Sequence, residues 1–104
     1  MASDKEKKIL SLLGLAARGR NLTGGENQVL DAIRTGTARL VIIAENASDN
    51  TKKKFTDKCE FYDIPIRIWG TGEDLGHGTG HEYRVSLALT ENGFAEKIIA
   101  LMDE

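Results

Sequence analysis

Apolar residues recur at helical spacing through Ile9, Leu10, Leu12, Leu13, Ala16 and Ala17, which predicts an amphipathic first helix with one face turned to a core. Ser3-Asp4-Lys5-Glu6 ahead of it has the Ser-x-x-Glu form of a capping box, whose hydroxyl and carboxylate satisfy amide donors that a helix start leaves open. Arg18-Gly19-Arg20-Asn21 supplies the stop and puts positive charge at the negative end of the dipole. After a short stretch at Leu22-Thr23, Gly24-Gly25 breaks the chain, and Val29, Leu30 and Ile33 mark a second helix ending near Gly36.

The pattern then changes. Arg39-Leu40-Val41-Ile42-Ile43-Ala44 is β-branched without polar alternation, the signature of a central strand covered on both faces, so helices must lie on either side. Ser48 is the expected cap of a third helix running through Thr51-Lys52-Lys53-Lys54-Phe55 to about Tyr62, with Phe55, Cys59 and Tyr62 inward and the lysines outward. Ile64-Pro65-Ile66-Arg67-Ile68-Trp69 and Val85-Ser86-Leu87-Ala88-Leu89 read as two further strands. Between them Gly70 to His81 holds five of the eleven glycines, with a one-turn helix expected at Glu73 to Leu75. Thr90 is the expected cap of a final helix whose buried stripe is Phe94, Ala95, Ile98, Ile99 and Met102, with Glu91 near the positive end of its dipole. This alternation predicts a three-layer α/β/α sandwich with a mostly parallel sheet, in one domain spanning residues 1–104.

Composition narrows the class. With 40% apolar residues beside well-mixed charge the chain is expected to fold, and the single Cys59 excludes a disulfide scaffold and suits a reducing cytoplasm. No apolar stretch approaches the about 20 residues of a membrane span, and Met1-Ala2-Ser3-Asp4-Lys5-Glu6-Lys7-Lys8 leads into an amphipathic segment, so neither membrane nor targeting is expected. The formal net charge of −2 conceals an asymmetry: residues 1–44 carry seven basic and four acidic side chains, residues 61–104 three and eight. Because the Debye length is about 8 Å at physiological salt, a basic face survives on such a chain. The competing reading is a solvated surface with chance asymmetry.

Candidates for catalysis are sparse. Cys59 falls inside a predicted helix, where a small buried residue is the simpler account than a thiolate. His77 and His81 stand four apart, but Gly78-Thr79-Gly80 between them makes a poor helix, and without a third ligand they read as exposed loop histidines. The glycines of residues 70–80 raise a nucleotide-binding alternative, yet no Gly-Lys-Ser/Thr ending is present and no long helix follows. No catalytic residue, metal or cofactor is therefore expected. Gly24-Gly25-Glu26-Asn27-Gln28 is more informative, since it places two glycines and two amide side chains at a helix start, where unpaired backbone donors receive phosphates and Asn and Gln can read base edges. An ordinary polar first turn after a glycine bend is the alternative.

The run from Gly25 through Asn27-Gln28-Val29-Leu30-Asp31 to Ala44 resembles the signature of the L-seven-Ae family of ribosomal proteins, whose members bind kink-turn RNA. Leu75-Gly76 followed by Gly80 and a strand is similar to that family's second RNA-facing loop. Leu12-Leu13-Gly14-Leu15-Ala16-Ala17-Arg18 and Ser48-Asp49-Asn50-Thr51-Lys52-Lys53-Lys54 resemble the bacterial YlxQ-type branch. The resemblance implies a sandwich around a small four-stranded mixed sheet, with Leu22-Thr23 as an extra strand. It also implies that Gly25 allows close approach of tandem G·A pairs, that Asn27 and Gln28 take hydrogen bonds at guanine edges, and that Ser48 lies beside a pocket for an extruded nucleotide. Gly80, His81 and Arg84 would fall on the second contact loop. Arg18 and Arg20, with Lys5, Lys7 and Lys8, would neutralise phosphates if the first helix points its polar face toward the RNA.

Several positions depart from the family pattern. Asp31 stands where a basic residue is usual and would repel a phosphate, Gln28 replaces a Glu and loses charge-assisted strength, and Gly72 stands where a Lys is common. The expected function is a non-catalytic RNA-binding protein of the ribosomal type, contacting RNA through Arg18, Arg20, Gly25, Glu26, Asn27, Gln28, Asp31, Ser48, Gly80, His81 and Arg84. Structured RNA is the expected partner, in a ribosome or another ribonucleoprotein, with the protein a cytoplasmic monomer. The departures support the alternative, a protein-interaction module on the same fold that has lost specific RNA binding.

Overall fold

The computed structural model describes residues 3–104; Met1 and Ala2, where the segment read as lacking a signal-peptide core begins, lie outside them. The elements follow in the order α1 (Asp4–Arg18), β1 (Leu22–Gly24), α2 (Glu26–Arg34), β2 (Leu40–Ile43), α3 (Asp49–Tyr62), β3 (Ile66–Ile68), α4 (Gly72–Gly78), β4 (Ser86–Leu89) and α5 (Asn92–Met102). Ser3 and Ser48 cap their helices as expected, each hydroxyl accepting an amide three residues on, from Glu6 and from Thr51, both at 3.1 Å.

The sheet has the strand order β1-β4-β2-β3. All four residues of β2 are fully buried because period-two alternation sends them to opposite layers. Leu40 and Ile42 pack with Ile9, Leu13 and Ala16 of α1, Leu75 of α4, and Ala95 and Ile98 of α5. Val41 and Ile43 pack with Val29, Ala32 and Ile33 of α2, and Phe55 and Cys59 of α3. Helices on both faces of one sheet make the three-layer sandwich. Full burial of each such side chain contributes about 1.5–3 kcal/mol before entropy is counted, so both layers are needed. Cys59 is part of this core, where burial pushes its thiol up to about 11.

Four expectations are corrected. The sheet is mixed, as the family resemblance implied, rather than mostly parallel as the alternation alone predicted: β2 and β3 are parallel (Val41 opposite Ile66), whereas β4 runs against both β1 and β2. The segment between β3 and β4 holds only the seven-residue α4, too short to carry the chain back along the sheet, so β4 starts at the end where β3 finished. That helix is longer than the single turn expected, because the Thr71 hydroxyl caps it by accepting the Asp74 amide at 3.0 Å. Tyr62 is 40% exposed rather than inward, since α3 ends there and Asp63 turns left-handed at φ 58°.

The cap of α5 is Glu91, not Thr90. The Thr90 amide donates to the Asn21 carbonyl, which extends the sheet contact by one residue, and the longer Glu91 carboxylate accepts from Gly93 and Phe94 at 2.9 and 2.8 Å. These amide donors, Phe94 first, hold the Glu91 carboxyl below the usual carboxylate range. A depressed folded-state pKa gives stability that is present above the unfolded value and is lost as pH falls through the folded one. Glu91→Gln is therefore expected to destabilise the protein at neutral pH and to differ progressively less from the parent in the acid range. Urea melts of both proteins at pH 6 and about pH 3 check this; a gap that stays constant with pH would refute it.

Candidate functional site

Because β1, β2 and β3 all run against β4 or parallel to its antiparallel partner, their carboxyl ends gather at one end of the sheet, beside Ser86 at the start of β4. The amino termini of α2, α3 and α4 open at that end, the place where open α/β sheets hold ligands. Gly25 leads into α2 at φ 97° and ψ 150°, a conformation essentially restricted to glycine, with its amide donating to the Ser86 carbonyl at 3.2 Å. No side chain caps the helix, so the amides of its first turn are left facing outward with exposed Glu26, Asn27 and Gln28. Glu26 is held by Lys54 of α3 at 2.8 Å, whereas Asn27 and Gln28 make no side-chain hydrogen bond among the described residues.

The Gly24-Gly25 pair has a second function, which is to make room for Arg84. A Cβ on Gly24 would lie 3.2 Å from Arg84 Nε, and one on Gly25 would lie 3.4 Å from a terminal Arg84 nitrogen and 2.9 Å from Gln28 Oε1. Arg84 Nε is buried without a partner, and its other terminal nitrogen is 3.4 Å from both ring nitrogens of His81. Arg84 thus lies across the two glycines with His81 beside it, over a polar cavity of about 340 Å³ lined also by Thr23, Gln28 and Thr79. Gly80 sets the loop's course: it has φ 85°, and nothing lies within 4 Å of where its side chain would be.

The remaining site candidates are placed unequally. Arg18 lines an adjoining recess of about 580 Å³ between α1 and Gly78-Thr79-Gly80. Arg20 is exposed in a left-handed turn at φ 60° before β1, so the structure sets it at the opposite end of that strand from Gly25. Ser48 is occupied as the α3 cap, bonded to both the amide and the hydroxyl of Thr51. Asp31, one turn along α2, is ion-paired with Arg34.

Other residues position this end without having stood out in the sequence. Asn46 ties the loop after β2 to α4, its Oδ1 accepting the Gly72 amide at 2.9 Å and its amide donating to Glu73 at 3.3 Å. Tyr83 lies so close to α4 that a Cβ on Gly72 would meet its ring at 2.5 Å, and a Cβ on Gly76 would meet the backbone of Glu82 and Tyr83 at 2.5–2.7 Å. A close glycine contact is the one signal that could have been read, from the spacing of Gly72 and Gly76. Lys58, across from Asp31, was indistinguishable from the other lysines of α3. His77 sits within α4 and His81 beyond its end, and no group of three or more His, Cys, Asp and Glu side chains gathers to hold a metal among the described residues. No helix there is long and apolar enough to cross a membrane.

Comparison with known proteins is consistent with this geometry. Residues 7–99 match the model of the ribosomal protein L7Ae/L30e/S12e/Gadd45 family. The RNA-binding protein YlxQ of Bacillus subtilis is 47% identical over 92 residues, covering 88% of this chain and 92% of its own, and YlxQ of Enterococcus faecium is 33% identical over 99% of both. A solved structure of a protein of unknown function from Bacillus halodurans superposes with a TM-score of 0.91 at 46% identity, covering 93% of this chain and 98% of that one. The Giardia lamblia 15.5kD RNA binding protein shares the fold, with a TM-score of 0.77 at 22% identity over 97% and 92% of the two chains. The chain belongs to the ribosomal protein L7Ae/L30e/S12e/Gadd45 family, within the bacterial branch that includes YlxQ.

Proposed function

We propose that this is a non-catalytic RNA-binding protein that recognises a kink-turn or similar internal-loop RNA, working in the cytoplasm with ribosomal or other structured RNA. The observation that carries the reading is the open first turn of α2, where free amides and the unengaged Asn27 and Gln28 side chains are exposed, with Gln28 and Arg84 lining one cavity beside Gly24-Gly25. Double-stranded RNA hides its base edges in a deep, narrow major groove, so a protein reads sequence where the helix is distorted. A kink exposes guanine edges. Asn27 offers both donor and acceptor to them, Gln28 accepts without charge, and the amides with Arg84 and Arg18 receive the converging phosphates. Relatives named as RNA-binding and ribosomal proteins support the class of partner and the non-catalytic role.

Two features that favour a protein-interaction module have local structural accounts. Asp31 is neutralised by Arg34, and Gly72 has the Tyr83 ring packed where a side chain would stand. The test is a titration against a kink-turn RNA and a variant with its G·A pairs replaced, at about 50 and 150 mM salt. Submicromolar binding lost in the variant is expected, and weak binding equal for both RNAs would overturn the reading. Arg84→Ala is expected to weaken both RNAs alike and to flatten the salt dependence by about 0.7–0.9 per phosphate released, because a phosphate contact carries little sequence information. An unchanged slope would remove Arg84 from the contact.

A further inference from the structure

A groove between α2 and α3 continues from the recognition turn down the side of the molecule. Its volume is about 380 Å³, and it is lined by Asn27 and Gln28 at one end and by Leu30, Asp31, Arg34 and Lys58 beyond them. The one carboxylate among its lining residues, Asp31, is neutralised by Arg34, and the nearby Glu26 at the start of α2 is paired with Lys54. Lys58 makes no salt bridge among the described residues, so its charge remains in excess and faces the groove. Lys54, Lys58 and Phe61 stand at i, i+4 and i+7, on one face of α3. Phe61 is 80% exposed, its ring edge-on to Tyr62 at 5.0 Å between centroids. A cation followed by an exposed aromatic ring is the arrangement with which proteins track a single strand, gripping the backbone and stacking a base.

We propose that this groove carries the RNA strand leaving the kink, with Lys58 anchoring a phosphate, Arg34 held in place by Asp31, and Phe61 stacking an unpaired base. The inference rests on the RNA-binding reading and extends it from the end of the sheet to the α2–α3 face. It moves the anchoring charge to α3 and leaves Asp31 as a positioning residue for Arg34.

Two RNAs test it: a kink-turn trimmed to its kink, and the same RNA with a short single-stranded extension on either strand. The parent protein is expected to bind one extended RNA more tightly than the trimmed one. Lys58→Ala should abolish that advantage and lower the salt slope on the extended RNA by about 0.7, and Phe61→Ala should weaken it by about 5- to 150-fold while leaving the trimmed RNA unaffected. Lys53→Ala is the control, because that side chain pairs with Asp57 and lies on another face of α3. All three side chains are exposed, and unchanged melting temperatures will confirm that the variants fold. Equal binding of trimmed and extended RNAs by the parent, or equal losses for Lys58→Ala and Lys53→Ala, would overturn the groove while leaving trimmed-RNA recognition standing. Failure to bind the trimmed RNA at all would instead sink the underlying reading.

Discussion

Asn27→Ala is expected to cost about 1–3 kcal/mol of affinity for a kinked RNA, a loss of about 5- to 150-fold, while leaving the fold nearly unchanged. The side chain is exposed in the first turn of α2 and bonds nothing else among the described residues, so its removal opens no cavity and strands no internal partner. What is lost is a base-edge contact. The loss should therefore be large on the intact kink and small on the RNA whose G·A pairs have been replaced, with the salt slope unaltered because no phosphate is released. A filter-binding or fluorescence titration of both proteins on both RNAs measures all of these quantities. Equal affinity of variant and parent for the intact kink would eliminate Asn27 as a reader.

Gly76→Val should be the most damaging single change at the functional end. The first added carbon alone would sit 2.5 Å from the Tyr83 amide nitrogen and 2.7 Å from Glu82 carbonyl carbon and Tyr83 Cα. These are backbone atoms and cannot rotate away. Overpacking of this kind costs about 1–3 kcal/mol, and valine gains little of the helix propensity by which alanine, up to about 1 kcal/mol better than glycine, would offset the strain. Whatever relief the chain finds must move residues 82–84, and with them Arg84, whose amide donates to the Gly72 carbonyl at 2.9 Å. RNA affinity should thus fall beyond what lost stability explains. Gly72→Ala is the informative contrast, because its clash is with the half-exposed Tyr83 ring, which can swing out. An unfolding free energy from urea titration within about 0.5 kcal/mol of the parent for Gly76→Val would refute the close-packing account.

The two variants probe parts of the site that were unequally legible. The Gly25-Glu26-Asn27-Gln28 turn is local chemistry: glycine permits the positive φ, and the amide side chains follow within one helical turn. The role of Gly76 is not local, since its partner Tyr83 is reached only after α4 ends and the loop folds back. Arg20 illustrates the opposite failure. It is near Gly25 in sequence and basic, yet it stands before β1, which carries the chain to the recognition end at about 3.3 Å per residue and leaves Arg20 behind at the far end of the strand.

The same division holds for the fold. Periodicity alone determined the long helices, the fully buried β2 and the two-sided covering of the sheet, because 3.6-residue and uninterrupted apolar patterns are properties of the chain itself. It could not establish β1, whose three residues are too few to show a period and which only family resemblance suggested. Strand direction, the choice of Glu91 over Thr90 as a cap and the exposure of Tyr62 were decided by tertiary structure. Each depends on where an element finds itself once its neighbours have packed, with β4 inserted between β1 and β2 and Thr90 drawn to Asn21. The groove that joins Asn27 to Lys58 is of this second kind: residues 31 positions apart share a surface only because α2 and α3 cover the same face of one sheet.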